Sequence, residues 1–118
     1  MDLYAIYLVS DSVGETADVV IRSALYQFET ENYQLKKYSY VQTTEEIDDI
    51  CAKASEEGKA MIFYTFVKKE MADHMKGQIE KSGLIGVDIS SPILTGLGQL
   101  FQLPAKEKPG INRQLNED

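Results

Sequence analysis

Leu3-Tyr4-Ala5-Ile6-Tyr7-Leu8-Val9-Ser10-Asp11-Ser12-Val13-Gly14-Glu15-Thr16-Ala17 passes from an almost unbroken apolar run, through a short polar turn, into residues with helical spacing. Aromatic and β-branched side chains dominate Leu3 to Val9, which predicts a central strand covered on both faces. Ala17, Val20, Ile21, Ala24, Leu25 and Phe28 then recur at the period of a helix, predicted over Val13 to Phe28. Ser12 stands three residues before Glu15, the spacing of a capping box, and would open that helix. A strand feeding a helix through a tight polar turn is half of a βαβ unit.

The rest of the chain repeats the pattern. Tyr33 to Val41 mixes apolar with charged residues and reads as a more exposed, edge strand. Thr43 and Glu46 repeat the capping-box spacing ahead of the apolar stripe Ile47, Ile50, Cys51 and Ala54, and Gly58 offers a left-handed stop. Ala60 to Phe66 is the clearest buried strand, followed by Val67, Met71, Met75 and Ile79 at every fourth position on a helix ending at Gly83. Leu84 to Ile89 makes a fourth strand. Ser91-Pro92 has the chemistry of a helix start, with Ile93, Leu94, Leu97, Leu100 and Phe101 as the apolar side, although Gly96 and Gly98 weaken that helix.

Strands alternating with helices require a parallel sheet with right-handed crossovers. The predicted fold is α/β: a three-layer, open, Rossmann-like sheet of about four parallel strands with helices on both faces. Residues 1–103 form this domain, and 104–118, which carry Pro104, Pro109 and Gly110 among polar residues, read as the start of a linker.

The totals fit one globular domain. The chain has 118 residues, 43% of them hydrophobic and 26% charged, and its formal net charge is −7. That balance argues against nucleic acid or an anionic membrane as a partner, though not against a single phosphate group. One cysteine, Cys51, allows no internal disulfide, and the first residues lack a basic leader, so the expected compartment is the cytoplasm. No apolar run approaches the ~20 residues that span a bilayer.

In an open α/β sheet ligands bind beyond the carboxyl ends of the strands. Ser10 to Thr16 occupies that place after the first strand, and offers three hydroxyls, a small Gly14 and the start of a helix. Two readings stand side by side: a helix cap with Asp11 as a turn former, or a contact for phosphate, nucleotide or partner peptide. Tyr64-Thr65-Phe66, followed by Lys68 and Lys69, would join the same edge if the first and third strands are neighbours. Two lysines opening a helix face its positive end, which hints at a nearby anion, but solvated surface lysines are the favoured reading and neither is read as catalytic. His74 is the sole histidine and reads as a solvated helix residue rather than a metal ligand; Cys51 reads as a small buried hydrophobe. No metal site and no catalytic base can be named. A receiver-type phospho-acceptor domain would need an aspartate where Tyr64-Thr65-Phe66 stands, and neither a Walker loop nor a G-x-G-x-x-G turn is present.

Ile6 to Ala17 resembles the opening of the regulatory proteins of pyruvate, phosphate dikinase and of phosphoenolpyruvate synthase. Lys108-Pro109-Gly110-Ile111-Asn112-Arg113-Gln114-Leu115-Asn116-Glu117 is similar to the Lys-Pro-Gly…Arg-x-Leu segment that follows the first domain in that family. The resemblance implies a bifunctional enzyme. One activity is an ADP-dependent kinase that inactivates the dikinase by phosphorylating a threonine; the other is a phosphate-dependent phosphorylase that reverses this and releases pyrophosphate. Members of that family run to more than twice this length, and their Gly-x-Ser-Arg-x-x-Lys-Thr loop has no counterpart here, which implies a missing carboxyl-terminal nucleotide-binding domain and an inactive fragment. Within the shared motif, Ser10, Asp11, Ser12, Gly14, Glu15 and Thr16 are carried over as phosphate or substrate contacts. Pyruvate, phosphate dikinase is the favoured target over phosphoenolpyruvate synthase. The alternative is a non-enzymatic α/β module for docking or dimerisation, a homo-oligomer included.

Overall fold

The computed structural model describes residues 3–110. Ile111 to Asp118, and with them most of the Lys-Pro-Gly…Arg-x-Leu segment and the latter half of the expected linker, lie outside the described residues. The elements are β1 (Tyr4–Ser10), α1 (Glu15–Leu25), β2 (Tyr33–Tyr38), α2 (Thr44–Glu57), β3 (Ala60–Thr65), α3 (Lys69–Ser82), β4 (Ile85–Asp88) and α4 (Ser91–Phe101). All strand pairs are parallel and the sheet order is β2-β1-β3-β4. This is the expected open α/β sheet, with β2 at an edge and β1 and β3 adjacent.

β1 lies at the centre and is buried from Ala5 to Ser10. Its alternating side chains feed two cores. Ala5, Tyr7 and Val9 join Ile62, Tyr64 and the stripes of α2 and α3, among them Ile47, Ile50, Cys51, Met71, Met75 and Ile79. Ile6 and Leu8 pack with Ile21 of α1, backed by Leu35, Phe63 and Ile89. The first core is much the larger because two helices cover that face and one covers the other. Tyr7 stacks on Tyr38 of β2 with ring centroids 5.8 Å apart, which closes the edge of the larger core. Cys51 is buried against Met75, Sγ to Sδ 3.6 Å, and burial pushes its thiol up to about 11, as befits a core residue rather than a nucleophile.

The helix starts divide by mechanism. At α2, Thr43 Oγ1 accepts the Glu46 N–H at 3.2 Å while Glu46 Oε1 accepts the Thr43 N–H at 3.2 Å, the reciprocal box expected from spacing. At α1 the expected box does not form. Gly14, at φ 84°, is the N-cap in the left-handed region, no side chain caps the helix, and it begins at Glu15. α1 also ends at Leu25, leaving Phe28 exposed. α4 forms despite its two glycines, but none of its residues is buried. Its polar side, including Ser91, Thr95 and Gln99, borders a cavity of about 730 Å³ shared with Lys76 and Glu80 of α3, while Ile93, Leu97, Leu100 and Phe101 stay exposed.

Candidate functional site at the carboxyl ends of β1 and β3

The strand order reverses direction at β1, whose neighbours β2 and β3 follow it on opposite sides, so the crevice of an open sheet opens above β1 and β3. Ser10 to Gly14 sits there. The turn is held from both flanks. On the β2 side, the Tyr40 N–H donates to Ser12 O (3.0 Å), the Val41 N–H donates to Ser10 O (2.9 Å) and Ser39 Oγ donates to Val13 O (2.7 Å). On the β3 side, the Asp11 N–H donates to Thr65 O (3.3 Å) and Asp11 Oδ2 accepts the Val67 N–H (2.8 Å). Ser10 and Asp11 are buried. Ser10 Oγ accepts the Ser12 N–H at 3.0 Å and lies 3.3 Å from Ser12 Oγ, so Ser12 is spent inside the turn rather than on the helix start.

The six residues singled out in the sequence are therefore brought together, though in different settings. Ser10 and Asp11 form the floor, Ser12 and Gly14 the rim, and Glu15 and Thr16 the exposed first turn of α1. Burial pushes the Asp11 carboxyl above its ordinary value, and the Val67 amide and the Lys68 ammonium only partly offset this. Gly14 is fixed by its backbone: a Cβ there would stand 3.3 Å from Ser10 Cβ in a conformation that L side chains avoid. The first N–H groups of any α-helix have no acceptor within it, and at α1 the N-cap Gly14 has no side chain to offer those of Thr16 and Ala17.

The turn is a ridge between two cavities. One, of about 340 Å³, is lined by Asp11 to Ala17 together with Thr65, Ile89, Ile93 and Lys108. The other, of about 530 Å³, takes in Asp11 to Val13 with Tyr40, Lys68 and Met71. Lys108 and Gly110 show that the segment after α4 folds back over the strand ends. Its Glu107 accepts the Lys69 N–H at 2.8 Å, supplying from within the chain an anion for the start of α3 that the paired lysines suggest. Tyr40 lies in the left-handed region at φ 57°, an uncommon conformation for a bulky residue, beside the second cavity. Sequence reasoning missed Ser39, Tyr40 and Lys108, since each reaches the turn through contacts far away along the chain. His74, expected to be solvated, is half-buried and shares Asp48 Oδ1 with Gln78, each at 2.7 Å, so its role is to join α3 to α2.

The fold and crevice define a doubly wound α/β domain with a polar turn at the strand ends. A profile of the Kinase/pyrophosphorylase family matches residues 6–118, and the chain belongs to that family. It is 34% identical over 112 residues to a protein of Alkaliphilus metalliredigens, covering 95% of this chain and 40% of that one. It is 36% identical over 120 residues to one of Bacillus velezensis and 34% identical over 118 residues to one of Geobacillus kaustophilus, in both cases covering 100% of this chain and 44% of the relative. All three are provisionally described as pyruvate, phosphate dikinase regulatory proteins. The chain thus spans less than half the length of these relatives. Among the described residues no helix is long and apolar enough to cross a membrane.

Proposed function

We propose that this chain is the amino-terminal α/β part of a cytoplasmic, bifunctional serine/threonine kinase and phosphorylase that regulates pyruvate, phosphate dikinase. In the forward direction a threonine hydroxyl of the dikinase attacks the β-phosphorus of ADP; the bridging P–O bond to the α-phosphate breaks and AMP leaves. In the reverse direction inorganic phosphate attacks the phosphothreonine, a P–O–P bond forms, and threonine and pyrophosphate separate. Such transfers depend on positioning and on stabilising charge at phosphoryl oxygens.

The observation that carries this reading is the uncapped start of α1 at a strand-end cavity, with Ser12, Thr16, Thr65 and Lys108 around it. Thr16 and Ala17 offer N–H groups and Lys108 offers charge, the chemistry a phosphate-bearing substrate needs. Ser10 and Asp11 hold the turn in place beneath. The family's Gly-x-Ser-Arg-x-x-Lys-Thr loop does not occur in these 118 residues, so ADP is held chiefly by the further length that the relatives possess, and this chain by itself is inactive.

Calorimetry with ADP and with inorganic phosphate, on this chain and on the intact Alkaliphilus metalliredigens relative, tests the proposal. Binding by the relative alone is expected. Tight ADP binding by the short chain would place the nucleotide at the Ser10–Thr16 turn and sink the division of labour. Binding by neither protein would favour a docking or dimerisation module.

A further inference from the structure

A helix is about 10 Å across and strands lie about 4.8 Å apart, so one helix covers roughly two strands. The four-stranded sheet has two helices, α2 and α3, on one face, where Tyr7 and Ile62 are fully buried. The other face has α1 alone, centred on Ile6 and Leu8 of β1. β4 is left uncovered on that side: Ile85 is 64% exposed and Val87 42%. Below them Met61 and Ile85 open onto an apolar hollow of about 420 Å³ beside the end of α1. Beyond the other end of β4, Ile93, Leu97 and Phe101 of α4 are exposed as well. β4 is also an edge strand of four residues, and among the described residues no strand lies beside its outer backbone groups. The order β2-β1-β3-β4 is that of a 2-1-3-4-5 doubly wound sheet short of its last strand.

We propose that the uncovered β4 edge and the apolar face around Ile85 and Val87 dock a strand and helix from the further length of the family's polypeptide. This rests on the reading of the chain as one part of the longer regulatory protein. The relatives supply the occupant: this chain covers only 40% to 44% of their length, leaving more than half of each polypeptide to provide one strand along β4 and one helix over the hollow. The hollow is lined mostly by apolar side chains, with Lys59 at its edge, and an open parallel edge next to exposed aliphatic side chains is what a further βα unit would cover.

Two measurements decide it. Light scattering on this chain should give a monomer, with Ile85→Glu/Val87→Glu unchanged in mass; both positions are exposed, so the variant should keep its circular dichroism. Amide hydrogen exchange should be at least about tenfold slower in the intact Alkaliphilus metalliredigens relative, at the residues aligned with Ile85–Asp88, than in this chain. A dimer of this chain abolished by the double substitution would make a second copy the occupant and overturn the proposal. Equal exchange in the two proteins would overturn it too. Phosphorylation of a dikinase by the same preparation of the relative separates the two readings: protection at β4 without that activity leaves the docking face standing while the functional proposal falls.

Discussion

Asp11 shows how a single residue divides between building a site and serving it. Its carboxylate ties the end of β1 to the start of α3 by accepting the Val67 N–H, while burial raises its pKa above the ordinary aspartate value. A folded state that raises a carboxyl pKa holds the proton more tightly than the unfolded chain. The stability Asp11 contributes is then fully present below the ordinary value and is lost as pH rises through the folded one. Asp11→Asn keeps an oxygen for Val67 and removes the titration. Urea unfolding between about pH 3.5 and 7 should show the variant gaining on the natural chain as pH rises; a gap that moves the other way would mean the carboxylate is stabilised in the fold. Gly14 serves only through its backbone. Gly14→Ala should cost about 1–2 kcal/mol in equilibrium unfolding, the penalty of a left-handed L-residue, with the 3.3 Å approach to Ser10 adding to it. Tyr40 carries the same strain natively at φ 57° and is 58% exposed. Tyr40→Gly should stabilise the chain by about 0.5–1 kcal/mol, the relief of strain less the entropy of a glycine in the unfolded state.

At the scale of elements, two capping boxes of equal spacing have opposite fates, and this marks where local sequence stops being informative. Thr43 and Glu46 meet in a reciprocal box, and N–H groups of Gln42 and Thr43 hold the Glu46 carboxyl below its ordinary value. Ser12 is drawn away by Ser10 Oγ, and its carbonyl is taken by Tyr40, 28 positions on, so Gly14 becomes the cap. Thr43→Ala should therefore cost about 1 kcal/mol, and Ser12→Ala less than about half of that, in thermal or urea unfolding. Equal losses would restore Ser12 as a cap. The strands were readable because burial on both faces leaves continuous apolar runs such as Ala5 to Val9. The exposure of α4 was not: periodicity reports an apolar side, here Ile93, Leu97 and Phe101, without saying what lies opposite it. The same holds at the site. Ser10 to Thr16 was legible from its place after a strand, whereas Ser39, Tyr40 and Lys108 arrive by tertiary contact that no local pattern encodes.

For the molecule as a whole, the asymmetry of the two sheet faces makes a quantitative prediction about where stability resides. Ile62 on β3 is completely buried under α2 and α3, while Ile85 on β4, the same residue type in the neighbouring parallel strand, is 64% exposed on the α1 side. Removing three carbons from a buried isoleucine forfeits both their transfer energy and the packing around the cavity left behind. Ile62→Ala should then cost about 3–4 kcal/mol, a large part of the 5–15 kcal/mol typical of a domain. Ile85→Ala removes the same atoms from a position already in water and should cost less than about 1 kcal/mol in this chain. The denaturant midpoints of the two variants read the difference directly, with unchanged m-values as the sign that folding is still all-or-none. The contrast should shrink in the longer relatives if a helix seats over β4, because the surface aligned with Ile85 would there be interior. Equal losses in this chain would mean that Ile85 is already covered, by self-association or by rearrangement of α4, and that the two faces contribute alike.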